Sequence, residues 1–252
     1  METQTALFQY CLRLADSSLI LSQRLGEWCG HGPILEEDIA LTNISLDLIG
    51  HATAVLQYAV KVEGKGRNED ELAYLRNERD FRNVLLVEQP NGDYGNTIAR
   101  QFLFDAFQFY YYQDLQKSKD ETIAALAEKS LKEITYHLRH SSQWVLRLGD
   151  GTAESHERIQ NSINELWTYT GDLFDMDEVD SLLIKEGVAV DSKRVKEKWE
   201  KHVAEVFEQA TLKTPAQAFM QKGSREGKHT EHLGFLLAEM QYLPRTYPNA
   251  KW

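Results

Sequence analysis

Apolar residues return every three or four positions along most of this chain, and the alternation that marks strands is nearly absent, so the pattern predicts an all-α protein. Leu7, Cys11, Leu14, Ser18, Leu21 and Leu25 set out a first helix over roughly Thr5–Glu27. A turn follows at Trp28-Cys29-Gly30-His31-Gly32-Pro33, where glycine and proline supply the dihedrals a tight reversal needs. Ile39, Leu41, Ile44, Leu46, Leu48, Ile49, Val55, Leu56 and Val60 populate a second helix over about Ile34–Glu63, which Gly64-Lys65-Gly66 stops.

Residues 67–95 read as a long crossover holding a short helix near Glu71–Tyr74, a packed apolar stretch over Asn83–Gln89 and a turn at Pro90–Asp93. Long helices are expected over Tyr94–Lys117 and Glu121–Leu148, broken by Ser118-Lys119-Asp120 and ended by Gly149-Asp150-Gly151. Further helices are expected over Ala153–Leu173, Met176–Lys185, Val195–Leu212 and Thr230–Leu243, with a polar loop over Gln221–Lys228 and an extended tail from Pro244 to Trp252. The helix from Tyr94 carries Phe102, Leu103, Phe104, Phe107, Phe109, Tyr110, Tyr111 and Tyr112 on more than one face. Such a helix lies at the centre of a bundle, in a subunit interface, or in both. Two helical hairpins joined by one long crossover are the topology of a ferritin-like bundle, here one domain over residues 1–252.

Charge narrows the partners. With 39 acidic against 28 basic residues the net charge is −11, which repels nucleic acid. The N-terminus lacks a basic leader and no apolar run approaches ~18 residues, so neither a signal peptide nor a membrane span is expected, and the chain reads as cytoplasmic. Cys11 and Cys29 fit no zinc spacing and read as reduced thiols.

Ferritin-like bundles often hold two irons, using a Glu from each of two helices and Glu-x-x-His from each of the other two. Folding the first hairpin at its turn places Asp16 opposite Asp47, and folding the second places Asp105 opposite Glu133. His51 follows Asp47 and His137 follows Glu133, each by four residues rather than three, while Gly50 and Tyr136 stand where the histidines belong. One residue of offset turns a side chain by about 100°. Asp16, Asp47, His51, Asp105, Glu133, Tyr136 and His137 therefore read as a vestigial di-iron constellation, a buried polar network paired through groups such as Arg13, His51, Arg100, Tyr136 and His137, with no metal and no catalytic residue. The alternative is a self-sufficient di-iron oxygenase or ferroxidase using Asp16, Asp47, His51, Asp105, Glu133 and His137. A third reading is a helical scaffold for an unrelated partner.

Four stretches are more specific: Leu21-Ser22-Gln23-Arg24-Leu25-Gly26-Glu27-Trp28-Cys29-Gly30-His31, Leu86-Val87-Glu88-Gln89-Pro90-Asn91-Gly92, Lys132-Glu133-Ile134-Thr135-Tyr136-His137-Leu138-Arg139, and His229-Thr230-Glu231-His232-Leu233-Gly234 followed by Leu237-Ala238-Glu239-Met240-Gln241. Together they resemble the family of structural partner proteins of the phenylacetyl-CoA epoxidases, and the likeness runs from the first helix to Trp252. The resemblance implies a structural component of a multicomponent monooxygenase that forms the ring epoxide of phenylacetyl-CoA. It implies a ferritin-like catalytic partner carrying the di-iron centre, and a reductase with flavin and an iron–sulfur cluster fed by NADPH. No cofactor is expected in this chain, and in isolation it could pair with itself. Lys222, Arg225 and Lys228 are candidates for contact with coenzyme A phosphates or with the partner; His229 and His232 read as capping or interface residues.

Overall fold

The computed structural model describes residues 1–216, 219–248 and 250, and it is all α. Among the described residues ten α-helices follow in order: α1 (Thr3–Gly26), α2 (Leu35–Glu63), α3 (Glu69–Tyr74), α4 (Tyr94–Leu115), α5 (Glu121–Gly149), α6 (Ala153–Leu166), α7 (Glu178–Glu186), α8 (Ser192–Gln209), α9 (Glu231–Met240) and α10 (Tyr242–Thr246). The topology is ferritin-like: a hairpin of α1 and α2, a long crossover, a hairpin of α4 and α5, then the additional C-terminal helices. The chain groups into two compact units, one of Met1–Gln89, Asp177–Leu183 and the described part of Gly223–Trp252, the other of Pro90–Met176 and Ile184–Lys222. Neither is a contiguous segment, so no single linker divides the chain.

In the first unit α2 stops where Gly64 turns left-handed (φ 68°) and returns its N–H to the Val60 carbonyl at 3.0 Å. Asn68 and Glu71 close a reciprocal capping box at the start of α3. Buried Leu41, Ile44, Leu48 and Val55 line one side of α2. Ser45 Oγ donates to the Ser22 carbonyl at 2.8 Å, and Gln4 Nε2 to the Val62 carbonyl at 2.6 Å, which fixes the antiparallel register of α1 on α2. One property of α2 departs from expectation. An 18-residue window of it has a mean hydropathy of 1.4, long and apolar enough by length and composition to cross a membrane, with 44% of it buried. Scattered polar residues such as Asn43, Ser45 and His51 hide this when only unbroken apolar runs are sought.

In the second unit Asp93 and Asp120 cap α4 and α5, accepting from the backbone N–H of Asn96 and Ile123 at 2.9 Å each. The aromatic α4 is interior: Phe102, Phe104, Phe107, Tyr111 and Tyr112 are buried, and Phe109 and Tyr110 half-buried. Trp199 of α8 donates its indole N–H to the Leu103 carbonyl at 2.9 Å.

Three expectations need correction. The helix expected to Leu173 ends at Leu166 and continues as a 3-10 segment over Trp167–Phe174, where the Thr170 hydroxyl captures the Trp167 carbonyl at 2.8 Å. The helix expected over Thr230–Leu243 is divided into α9 and α10. The tail is not extended from Pro244: that proline sits in the first turn of α10, where its missing N–H costs nothing. Asn249, Lys251 and Trp252, also expected to be extended, lie outside the described residues.

Candidate functional site

A carboxylate inside an apolar helix must find a cation, donors or a proton. Each hairpin solves this for its buried aspartate in its own way.

In the first hairpin Asp16 is fully buried. Arg76, carried by the crossover, reaches both of its oxygens, Nη1 to Oδ2 at 2.9 Å and Nη2 to Oδ1 at 2.5 Å. The backbone N–H of Arg82 adds a third donor at 2.8 Å. The register set by Ser45–Ser22 and Gln4–Val62 places Asp16 level with Gly50 and His51, a turn beyond Asp47. Accordingly His51 is buried and Asp47 only half-buried.

The second hairpin repeats the displacement. Asp105 is fully buried; it accepts from Gln101 Nε2 and, across the hairpin, from Ser141 Oγ, both at 2.7 Å. Its partner on α5 is therefore Ser141, eight residues beyond the expected Glu133, with buried His137 one turn before it. Glu133 is half-buried and Tyr136 is 53% exposed. Folding about the turn residue treats side chains as perpendicular to the helix. They lean toward the N-terminus of their own helix, which in an antiparallel pair moves the partner of a first-helix residue farther along the second. Burial pushes the Asp105 carboxyl up to about 6, against the opposing pull of His137, Ser141, Gln101 and His140.

These groups do not fit a di-iron centre, which needs carboxylates free to bridge. At Asp16 a guanidinium fork already occupies both oxygens, and at Asp105 neutral donors do. Among the described residues no group of three or more His, Cys, Asp or Glu side chains is arranged to hold a metal ion. Two clefts of about 330 and 340 Å³ are lined by other residues.

Of the partners expected for these acids, His137 acts on Asp105, and the two arginines have these bonds. Arg13 bonds Asp177 at 2.5 Å and Asp180 at 2.7 Å, and Arg100 bonds Asn91 at 2.6 Å. In the loop after Pro215, Lys222 pairs with Asp175 at 2.6 Å, Lys228 pairs with Glu226, and Arg225 is half-buried.

Sequence reasoning missed a further buried carboxylate. Glu88 receives the backbone N–H of Thr230 at 2.6 Å, its hydroxyl at 2.8 Å, Asn83 Nδ2 at 2.8 Å and His229 Nδ1 at 2.9 Å. The other ring nitrogen of His229 faces the Phe81 carbonyl at 3.1 Å. An acceptor at each nitrogen favours the charged ring, and its pKa is raised: burial alone would lower it, but the hydrogen bond and charge of Glu88 more than reverse this. The available signal was a glutamate closing the apolar run Leu85-Leu86-Val87.

The sequence model of the family described as phenylacetic acid catabolic protein matches residues 1–252. The chain is 50% identical over 246 residues to the C component of the 1,2-phenylacetyl-CoA epoxidase of Escherichia coli (strain K12), an alignment that covers 98% of this chain and 99% of that protein. A whole-length family match, with half the residues shared along a full-length relative, leads to one assignment: the chain belongs to the phenylacetic acid catabolic protein family.

Proposed function

We propose that this chain is a structural, non-catalytic subunit of the monooxygenase that epoxidises the ring of phenylacetyl-CoA in aerobic phenylacetate degradation. It pairs with a ferritin-like catalytic subunit that holds the di-iron centre. The flavin and iron–sulfur cluster belong to a reductase subunit, and the assembly works in the cytoplasm. The full-length likeness to one component of a multi-subunit epoxidase supports the pathway and the setting. The observation that carries the non-catalytic reading is the Arg76 fork on Asp16. A metal ion would have to displace a buried, doubly bonded guanidinium to reach that carboxylate, and displacing it would strand a charge, at about 3–5 kcal/mol. The same fork opposes a self-sufficient di-iron oxygenase, which needs Asp16 as a ligand.

The test is to purify the chain alone and co-expressed with the di-iron subunit of the same oxygenase, then measure iron per chain and epoxide formation. Iron and turnover are expected only where the catalytic partner is present. Two irons bound per isolated chain, with turnover, would overturn the proposal.

A further inference from the structure

Helix α2 has two apolar faces, and only one is covered. Leu35, Ile39, Leu46 and Ile49 are 71%, 51%, 60% and 37% exposed, and Ile34, just before the helix, is 52% exposed. Their spacing along the helix keeps the four within an arc of about 80°, opposite Leu41, Ile44, Leu48 and Val55, which are buried. Four such side chains present on the order of 400 Å² of apolar surface, the size of the largest patch on a typical monomer, which is often functional. It is close to the apolar share of a standard footprint of ~800 Å² per partner. The aromatic α4, the other candidate surface, is already interior.

Charge selects the occupant. From Trp28 to Val60 the chain carries Glu36, Glu37, Asp38 and Asp47 and no Lys or Arg. In a self-pair the apolar residues match when two α2 helices run antiparallel about Thr42, Leu35 with Ile49 and Ile39 with Leu46. That register sets Glu36 of one copy within a turn of Asp47 of the other, twice by symmetry, between chains of net charge −11. An anionic lipid surface meets the same repulsion.

We propose that the outward face of α2 docks an apolar helix face of a different subunit, bordered by Lys or Arg. This rests on the multi-subunit reading above and names the surface through which it operates. The basic border satisfies the acids that flank the stripe, and the leucines and isoleucines supply the desolvated centre.

The test is to co-express the chain with the other subunits of the same oxygenase, capture through a tag on the di-iron subunit, and compare wild type with Leu46→Asp, Glu36→Lys and a control, Phe235→Ser. Phe235 is 72% exposed and lies outside the stripe. Melting of each isolated chain checks folding, and Leu46 is exposed enough that its melting temperature should hold. We expect Leu46→Asp to weaken association at least ~10-fold, Glu36→Lys to weaken it and flatten its salt dependence, and Phe235→Ser to leave it unchanged. Capture of Leu46→Asp equal to wild type would overturn the surface and leave the multi-subunit reading standing. Failure of the wild type to be captured would overturn both. A homodimer of the isolated chain, or binding to anionic vesicles, that Leu46→Asp abolishes would reassign the face and overturn the inference.

Discussion

Arg76 closes a bidentate ion pair on Asp16 from sixty residues along the chain, and its guanidinium carbon stands 4.2 Å from the centroid of the Phe81 ring. The pair is buried on both sides, with side-chain exposures of 6% and 0%. Such a pair adds little net stability over apolar packing, but breaking it on one side is costly, because the remaining charge is stranded. Arg76→Met should therefore cost about 3–5 kcal/mol in urea unfolding, and Arg76→Met with Asp16→Leu should recover most of it. A double variant no more stable than Arg76→Met would show that the fork matters through its other bonds, to the Leu72 and Asp80 carbonyls.

The Glu88–His229 pair gives the fold a pH dependence of definite sign. His229 has a raised pKa in the folded state, so its contribution is complete below its unfolded value of about 6.5 and is lost as pH rises through the folded value. Wild type should lose melting temperature on the alkaline side, and His229→Gln should be flatter there while less stable at pH 6 by about 1.5–3 kcal/mol, the worth of hydrogen bonds to a charged group. Because Thr230 and His229 precede α9, limited proteolysis should find new cuts after residue 223 in the variant. Parallel melting curves for the two proteins between pH 6 and 9 would refute the assignment.

Asp105 acts in the same sense, in a lower pH window. A carboxyl pushed up to about 6 from an unfolded value near 3.9 binds its proton more tightly in the fold, so the fold loses stability as pH climbs between those values, by about 3 kcal/mol in all. Asp105→Asn keeps an acceptor for Ser141 and removes the buried charge; a flipped Gln101 amide serves the new NH2 group. The variant should melt above wild type at pH 8 and lose most of that advantage at pH 4.5. A variant less stable than wild type at pH 8 would mean that the charge is compensated in the fold.

How much of this was legible in the sequence follows from which forces act locally. Helical period and the Gly64 and Gly149 stops located the four long helices to within a few residues, because burial of an apolar stripe is written into spacing. The aspartates at 16 and 105 were also readable as buried, since they stand among core positions. Their partners were not. Arg76 and Ser141 reach them through the crossover path and the helix register, which depend on side-chain lean and turn geometry rather than on any local pattern. The mirror construction therefore chose Asp47 and Glu133, and the buried neighbours are His51 and His137. Glu88 was missed because an acid at the end of an apolar run looks like a boundary until its partner, 141 residues away, is known.

Arg13 explains a discontinuity in the chain. Its guanidinium bonds two carboxylates, Asp177 at 2.5 Å and Asp180 at 2.7 Å, and so holds the short segment Asp177–Leu183 in the same compact unit as α1. Burial works against ionisation of Asp177, but the hydrogen bond and charge of Arg13 outweigh it and leave its pKa lowered. That stability is present above the unfolded value near 3.9 and is lost as pH falls through the folded one. A lysine cannot serve both acids in this geometry, because it offers one nitrogen where the fork offers two. Arg13→Lys should cost about 1.5–3 kcal/mol, one charge-assisted bond, and should speed amide exchange at residues 177–183 while α1 keeps its protection. Exchange that accelerates equally along α1 and 177–183 would mean that Arg13 supports the whole unit rather than this one attachment.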